Sequence, residues 1–250
     1  MPQLRDADRR RGFELVGRVV DAASSAEAFA RAAVAELPRV VASELTTLSI
    51  CDLAGGHRRV VADPPTVIGA DECAAFDRHF GAHPLVRYHG YQHGRGAQRI
   101  SDSVPFARFR ETVLYADYYR RIGIDHVVAL PLVVDQGLLV SLVLNRRRHD
   151  FDDRERELLD AIGAPLSRLW RGLQRAAAAS LPASLTPREL EVLGWVAAGK
   201  TYRDVAAILG CSHRTVHKHL QRIYVKLGVE TRTAAAMRLV GAGGAQPRPG

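Results

Sequence analysis

The first 180 of the 250 residues contain no lysine, and the whole chain has only three cysteines and two tryptophans. Each scarcity excludes something. A phospho-accepting receiver domain needs an acidic pair after its first strand, an aspartate after a later one and a lysine near its end. Asp52 follows a strand-like run, but its partners are missing. Cys51, Cys73 and Cys211 are odd in number and far apart, which argues against a disulfide framework and fits a reducing compartment. Cys211 reads as a small packing residue. No apolar run approaches the roughly 18 to 20 residues of a membrane span, and the charged stretch Met1 to Gly12 has no apolar core behind it. Neither a signal peptide nor a membrane partner is therefore expected, and the expected location is cytoplasmic. No nucleophile, base and orienting acid recur at a recognisable spacing, so no catalytic residues, enzymatic activity or cofactor are expected.

Charge is present but unevenly placed. The formal net charge is +8. Residues 181–250 hold 10 Arg and Lys against 4 Asp and Glu, a net +6, which leaves +2 for residues 1–180. A basic excess gathered at one end is the footprint of phosphate contact.

That basic end reads as four short helices. Thr186, Pro187 and Glu189 form a capping box with proline at the first helical position, and Val192, Leu193 and Val196 mark a buried face that ends at Gly199. A second helix spans Thr201 to Leu209, with Val205, Ile208 and Leu209 apolar and Ala206 small; Gly210 stops it. Ser212 caps a third helix that runs to Leu227, with Gly228 beyond it. The tight joint Gly210-Cys211-Ser212 is a helix-turn-helix signature. Val216, Leu220, Ile223 and Leu227 share one face at 3.6 residues per turn, so Arg214, Lys218 and Gln221, flanked by His217 and Arg222, lie opposite. Four Arg or Lys and no Asp or Glu lie between Ser212 and Leu227. The expected partner is double-stranded DNA, entered at the major groove.

The run SLTPRELEVLGWVAAGKTYRDVAAILGCSHRTVHKHLQRIYVKLGVETRTAA resembles the C-terminal DNA-binding domain of LuxR/FixJ-type bacterial transcription regulators. The matches are Leu185, Thr186, Arg188, Glu189, Val192, Leu193, Gly199, Ala206, Leu209, Ser212, Thr215, Val216, His219, Ile223, Lys226, Leu227, Gly228, Val229, Arg232 and Ala235. Tyr202 stands where that family commonly has Asn, and His217 where it commonly has Lys. On the reading face, an imidazole ordinarily neutral at pH 7 thus replaces an ammonium. The resemblance implies DNA contacts from Arg214, Thr215, His217, Lys218, His219, Gln221, Arg222, Lys226, Lys200 and Thr201. It also implies a fourth helix from Thr231 to Leu239 that dimerises through Ala234, Ala235, Met237 and Arg238, giving a homodimer on a two-fold operator. RNA polymerase is a further partner in this picture, and the bacterial protein would be nucleoid-associated when bound.

The other end alternates helices and hairpins. Leu15, Val16, Val19 and Val20 mark one helix; a capping box at Ser24 and Glu27 opens another, with Phe29, Ala33, Val34 and Leu37 before Pro38. TTLSICDL and RRVVA flank Ala54-Gly55-Gly56-His57 as a hairpin that Pro64 and Pro65 close. Residues 66–125 read as irregular to helical, with Phe106, Phe109, Val113 and Leu114 at helical spacing. HVVALPLVV and LLVSLVLN form a second hairpin around Asp135-Gln136-Gly137. Asp152 and Glu155 open a long helix striped by Leu158, Leu159, Ile162, Leu166, Leu169 and Leu173; Ala176 to Ala179 extend it and Leu181-Pro182 breaks it as a hinge.

The predicted fold class is an α+β sensory domain, an antiparallel sheet with flanking helices, followed by an all-α four-helix helix-turn-helix domain. The order resembles GAF or PAS-like sensors, and HDFDDRERELLDAIGAPLSRLW is similar to the segment that closes such domains. Expected boundaries are 1–174 for the sensory or dimerisation domain, 175–184 for a linker, 185–241 for the DNA-binding domain and 242–250 for a disordered tail. Tyr115, Tyr118, Tyr119 and Arg120 are the candidate rim of a small-ligand pocket. Three alternatives stay open: a constitutive regulator with an interaction scaffold, an acyl-homoserine-lactone sensor, and a metal or haem sensor. The lactone pocket of quorum-sensing relatives is lined by Trp and Tyr with a buried Asp, whereas this half has a single Trp, Trp170. His79 with His83 and His89 with His93 have chelating spacing, but Pro84 and the glycines 90, 94 and 96 interrupt them, and no metal is expected.

Overall fold

Two hairpins rich in β-branched residues build one sheet. In the computed structural model, which describes residues 4–135, 137–179 and 185–241, β1 (Leu45–Asp52), β2 (His57–Asp63), β3 (Gln98–Arg99), β4 (His126–Asp135) and β5 (Leu138–Arg146) pair antiparallel in the order β2-β1-β5-β4-β3. Registers place Ser49 opposite Ser141 and Cys51 opposite both Arg58 and Leu139. The expected Leu181-Pro182 hinge, the tail at 242–250 and Gln136 lie outside the described residues. The chain divides into two compact units that part inside the last long helix of the first, between Arg168 and Leu169, with residues 24–27 joining the second.

Strand side chains alternate between faces, and here the faces differ in kind. Leu48, Ile50, Val140, Leu142, Leu144, Val128 and Leu130 share one face and are buried. The helix α6 (Asp153–Ala179) covers it: Ser167 donates to the Leu132 carbonyl, and a methyl on Gly163 would stand 3.0 Å from Leu130. α1 (Asp6–Ala22) packs on α6 closely enough that a Cβ at Gly12 would meet Ile162 at 2.9 Å. The buried Asp8 carboxylate fixes that crossing, accepting from Arg154 at 2.7 and 2.8 Å and from Arg11 at 2.7 Å. α2 (Ala26–Glu36) starts later than a Ser24 cap would give and is tied to α1 by Arg18–Glu36.

The stripe on α6 departs from expectation. Leu158, Leu159, Ile162 and Leu166 are buried, but the buried line then runs through Trp170 and Gln174, while Leu169 and Leu173 are only half-buried. Steps of three and four residues drift around a helix of 3.6 per turn, and Pro165 sits inside the helix just before the departure. Asp152 and Glu155 do open it, each accepting the other's backbone N–H.

The opposite face of the sheet carries Thr47, Ser49, Cys51, Arg58, Leu139, Ser141, Val143 and Asn145. Residues 64–125 cover it through α3 (Ala70–Arg78), α4 (Pro84–Val86) with a π-turn at Arg87–Tyr91, α5 (Phe106–Arg110) and a second π-turn at Tyr115–Tyr119. Phe76, Phe80, Phe109, Leu114, Tyr115, Tyr118 and Tyr119 cluster there with edge-on ring contacts. Val113 is 64 % exposed, because α5 ends at Arg110 and the turn at Glu111 and Thr112 breaks the helical spacing from Phe109.

In the second unit, α7 (Pro187–Ala197), α8 (Tyr202–Ile208), α9 (His213–Leu227) and α10 (Arg232–Gly241) follow the predicted boundaries within one or two residues. Thr186, Thr201 and Ser212 cap three of them, and Gly228 ends α9 at φ +61°, where a side chain would be strained. Val192, Leu193, Val196, Val205, Val216, Leu220, Ile223 and Leu227 form the core, whereas Ile208 is 46 % exposed. Glu189 closes the cap of α7 on the Thr186 N–H at 2.8 Å and accepts from Lys226 of α9 at 2.6 Å while almost wholly buried.

Lys226 and the Thr186 bonds hold the Glu189 carboxyl down at about 2. A depressed carboxylate stabilises the fold fully above its ordinary value of 4.5 and loses that contribution as pH falls toward 2. Glu189→Ala is expected to destabilise the second unit by about 2–3 kcal/mol in denaturant melts at pH 7. The gap between variant and wild type should shrink in melts repeated between pH 4.5 and 2.5; a gap independent of pH would contradict the assignment.

Candidate functional sites

With Val216, Leu220, Ile223 and Leu227 turned inward, α9 exposes Arg214, Thr215, His217, Lys218, Gln221 and Arg222 along one side. The Ser212 hydroxyl accepts the Thr215 N–H at 3.1 Å, which sets the start of the helix and the direction of that face. Among the described residues of α9 no acid interrupts it. Beside it, Thr201, Tyr202, Arg203, His213 and Arg232 line an open groove, and Lys200 offers its carbonyl to Arg232. Tyr202 meets His217 at a tilt of 59°, with ring centroids 6.1 Å apart, and lies under the Arg232 guanidinium at 5.5 Å. The two departures from the LuxR-type pattern, Tyr202 and His217, are thus neighbours.

Three expectations for this unit need correction. Lys226 is turned onto Glu189 as part of the cap of α7. His219 is half-buried with its Nδ1 enclosed, because it borders the inward stripe. Ala234, Ala235 and Met237 are buried within the chain, Ala235 in the core of the unit, and Arg238 is half-buried, so this small-residue run is not an open dimerisation face.

The second site is a cavity of about 30 Å³ between the polar face of the sheet and its irregular cover. Tyr118 and Tyr119 line it. Tyr115 does not: its hydroxyl donates to Asp125 at 2.6 Å. Arg120 is exposed, because the π-turn carries it past the rim. The residue that sequence reading missed is Arg58. It is buried, its Nη2 donates to the Tyr118 hydroxyl at 2.8 Å, and its guanidinium lies 3.8 Å from the Phe76 ring centroid. Its Nε is enclosed without a partner, as is Ser141 Oγ. The signal was in the hairpin: a turn at Gly55-Gly56 sets Arg58 opposite Cys51, on the inner face.

Burial, reinforced by the Arg58 charge, pushes His83 down to about 3, and its Nε2 lies 2.7 Å from the Tyr119 hydroxyl. Burial pushes the Cys51 thiol up to about 12 and the Tyr119 phenol well above its usual range. These groups are neutral at pH 7. The histidines of the chelation patterns go separate ways, His79 to Asp117 at 2.9 Å and His89 to the Gly96 carbonyl at 3.0 Å. Among the described residues no three His, Cys, Asp or Glu side chains gather around a common point.

Residues 25–168 match the family described as GAF domain, more than half of the chain. Residues 183–239 match bacterial regulatory proteins of the luxR family. The transcriptional regulatory protein TdiR of Thauera aromatica is 37 % identical over 39 % of this chain and 47 % of its own length. The transcriptional activator protein EsaR of Pantoea stewartii subsp. stewartii is 36 % identical over 39 % of this chain and 34 % of its own. The chain therefore spans less than half the length of either relative. The VqsR LBD domain of Pseudomonas aeruginosa, at 15 % identity and a TM-score of 0.50 over 64 % of this chain and 96 % of that one, shares the fold of the first unit. The chain belongs to the GAF-domain family and carries a luxR-family helix-turn-helix domain behind it.

Proposed function

We propose that the protein is a sequence-specific, DNA-binding transcription regulator, a homodimer whose grip on double-stranded DNA is modulated by a small ligand in the GAF unit. The observation that carries this reading is the exposed side of α9, basic and free of acids, opposite a fully apolar inward stripe. The names of the matched relatives support a regulatory role over an enzymatic one, and no helix among the described residues is long and apolar enough to cross a membrane. Residues 1–174, a linker over 175–184 and residues 185–241 remain the proposed division, with a cytoplasmic location.

Mechanistically, α9 enters the major groove. Arg214, Lys218 and Gln221 reach base edges, where Arg and Lys suit guanine and Gln suits adenine. Arg222, Thr215, Thr201 and Lys200 hold phosphates and set the register without reading sequence. His217, backed by Tyr202, offers an imidazole ring on this face. A dimer places two such helices about 34–36 Å apart, so a ligand that alters subunit pairing alters operator affinity. The small size of the cavity favours a second reading, in which the GAF unit serves only as a pairing scaffold.

Selection of an operator from random duplexes with the full chain tests the first reading and should return a two-fold sequence. On that operator, Lys218→Ala and Gln221→Ala are expected to relax preference at one base pair by about 1–3 kcal/mol. Arg222→Ala should weaken all duplexes alike and lower the salt slope by about 1. Equal losses on every sequence for all three variants would contradict the division of roles.

A further inference from the structure

We infer that the cavity of the GAF unit is a site for a small organic monoanion, a short-chain carboxylate whose charged end is held by Arg58 and whose hydrocarbon end lies among apolar side chains. The inference rests on the reading of this unit as ligand-responsive and names the class of ligand.

The argument begins with charge. A guanidinium cannot give up its proton in a protein, and burying an ion without a counter-charge is costly. Arg58 is 8 % exposed, yet among the described residues no carboxylate pairs with its guanidinium; Asp77 accepts the Arg58 backbone N–H instead, at 2.9 Å. Its side chain is met by one phenol and two aromatic faces, none of them a carboxylate. Among the described residues no Asp or Glu lines the cavity. Asp77 feels the Arg58 charge without pairing with the guanidinium, so the charge is only partly compensated, and among the described residues its enclosed Nε has nothing to donate to.

Hydrogen bonding points the same way. Ser141 Oγ is enclosed without a partner on the same face, and the neighbouring Thr47 and Ser49 hydroxyls have only each other, at 3.3 Å. A carboxylate accepts from a guanidinium edge and from hydroxyls at once. The wall also carries the polar His83, His89 and Asn145, while Leu85, Val86, Ala129, Leu139 and Val143 supply the apolar part that suits a short alkyl group. A dianion such as phosphate would find a single cation, and an amine or neutral amide would leave Arg58 only partly compensated. The volume of about 30 Å³ is near that of a single water in the liquid, so the occupant is among the smallest of its class and the irregular cover has to give way to admit it.

The test uses the full chain and sodium propionate, with propionamide as the uncharged isostere and sodium chloride at matched ionic strength. Propionate well above its half-saturating concentration should raise Tm by about 2–4 °C, while propionamide and chloride leave it unmoved. Arg58→Met should abolish the response. Should that variant not fold, Ser141→Ala, which removes one small hydroxyl, should weaken propionate binding severalfold with little change in Tm of the free protein. Equal shifts from propionate and propionamide, no shift with propionate, or an unaltered response in the folded variants would overturn the assignment. Operator binding measured in parallel separates the two readings. Arg58-dependent propionate binding that leaves operator affinity unchanged keeps the anion site and removes ligand control, whereas operator binding by a chain deaf to propionate removes the anion site alone.

Discussion

Alternation along β1 and β5 sets the character of the first unit. Because successive side chains leave a strand on opposite sides, Leu48, Ile50, Leu142 and Leu144 go to α6, and Thr47, Ser49, Ser141 and Asn145 go to the other cover. The first set is an ordinary hydrophobic contact, each leucine contributing about 1.5–3 kcal/mol on burial. The second set is buried just as deeply but is polar, so it demands partners. Asn145 finds the Leu45 carbonyl, Thr47 finds Ser49, and Ser141 finds none among the described residues. A face so composed does not collapse onto its cover, and a cavity results. The irregular cover, with two π-turns and short helices, is the structural counterpart: it brings aromatic rings, packed edge-on to one another, over the sheet without closing the space.

The second unit depends on a different device. Its four helices are short, and short helices owe their stability to packing and caps more than to propensity. Thr186, Thr201 and Ser212 satisfy the starts of α7, α8 and α9, and Glu189 joins the first cap to Lys226 at the end of α9. The outward side of α9 is aimed by that pairing as much as by its apolar stripe.

Much of this was legible in the sequence. Both hairpins, the long α6 and the four helices after Leu185 follow from period, turn residues and caps, because those signals are local. What was missed depends on distant partners. Arg58 reads as a solvent-facing strand residue until hairpin register is combined with the depth of Cys51. Tyr115 and Arg120 stand beside Tyr118 and Tyr119 in sequence, but the π-turn sends them elsewhere. Lys226 was counted with the other basic residues of α9 because nothing within the helix reveals the Glu189 carboxylate 37 positions earlier. Ala234 and Met237 suggested a close contact and do make one, inside their own chain.

The lysine scarcity noted at the outset acquires a structural meaning through the Glu189–Lys226 pair. Every lysine lies in the helix-turn-helix domain, so chemistry that neutralises side-chain amines, such as acylation, falls only there. At Lys200 and Lys218 it would remove charge from the surface. At Lys226 it would leave a buried carboxylate without its counter-ion, so a modification at the protein's edge would be felt as a loosening of the first helix of the domain.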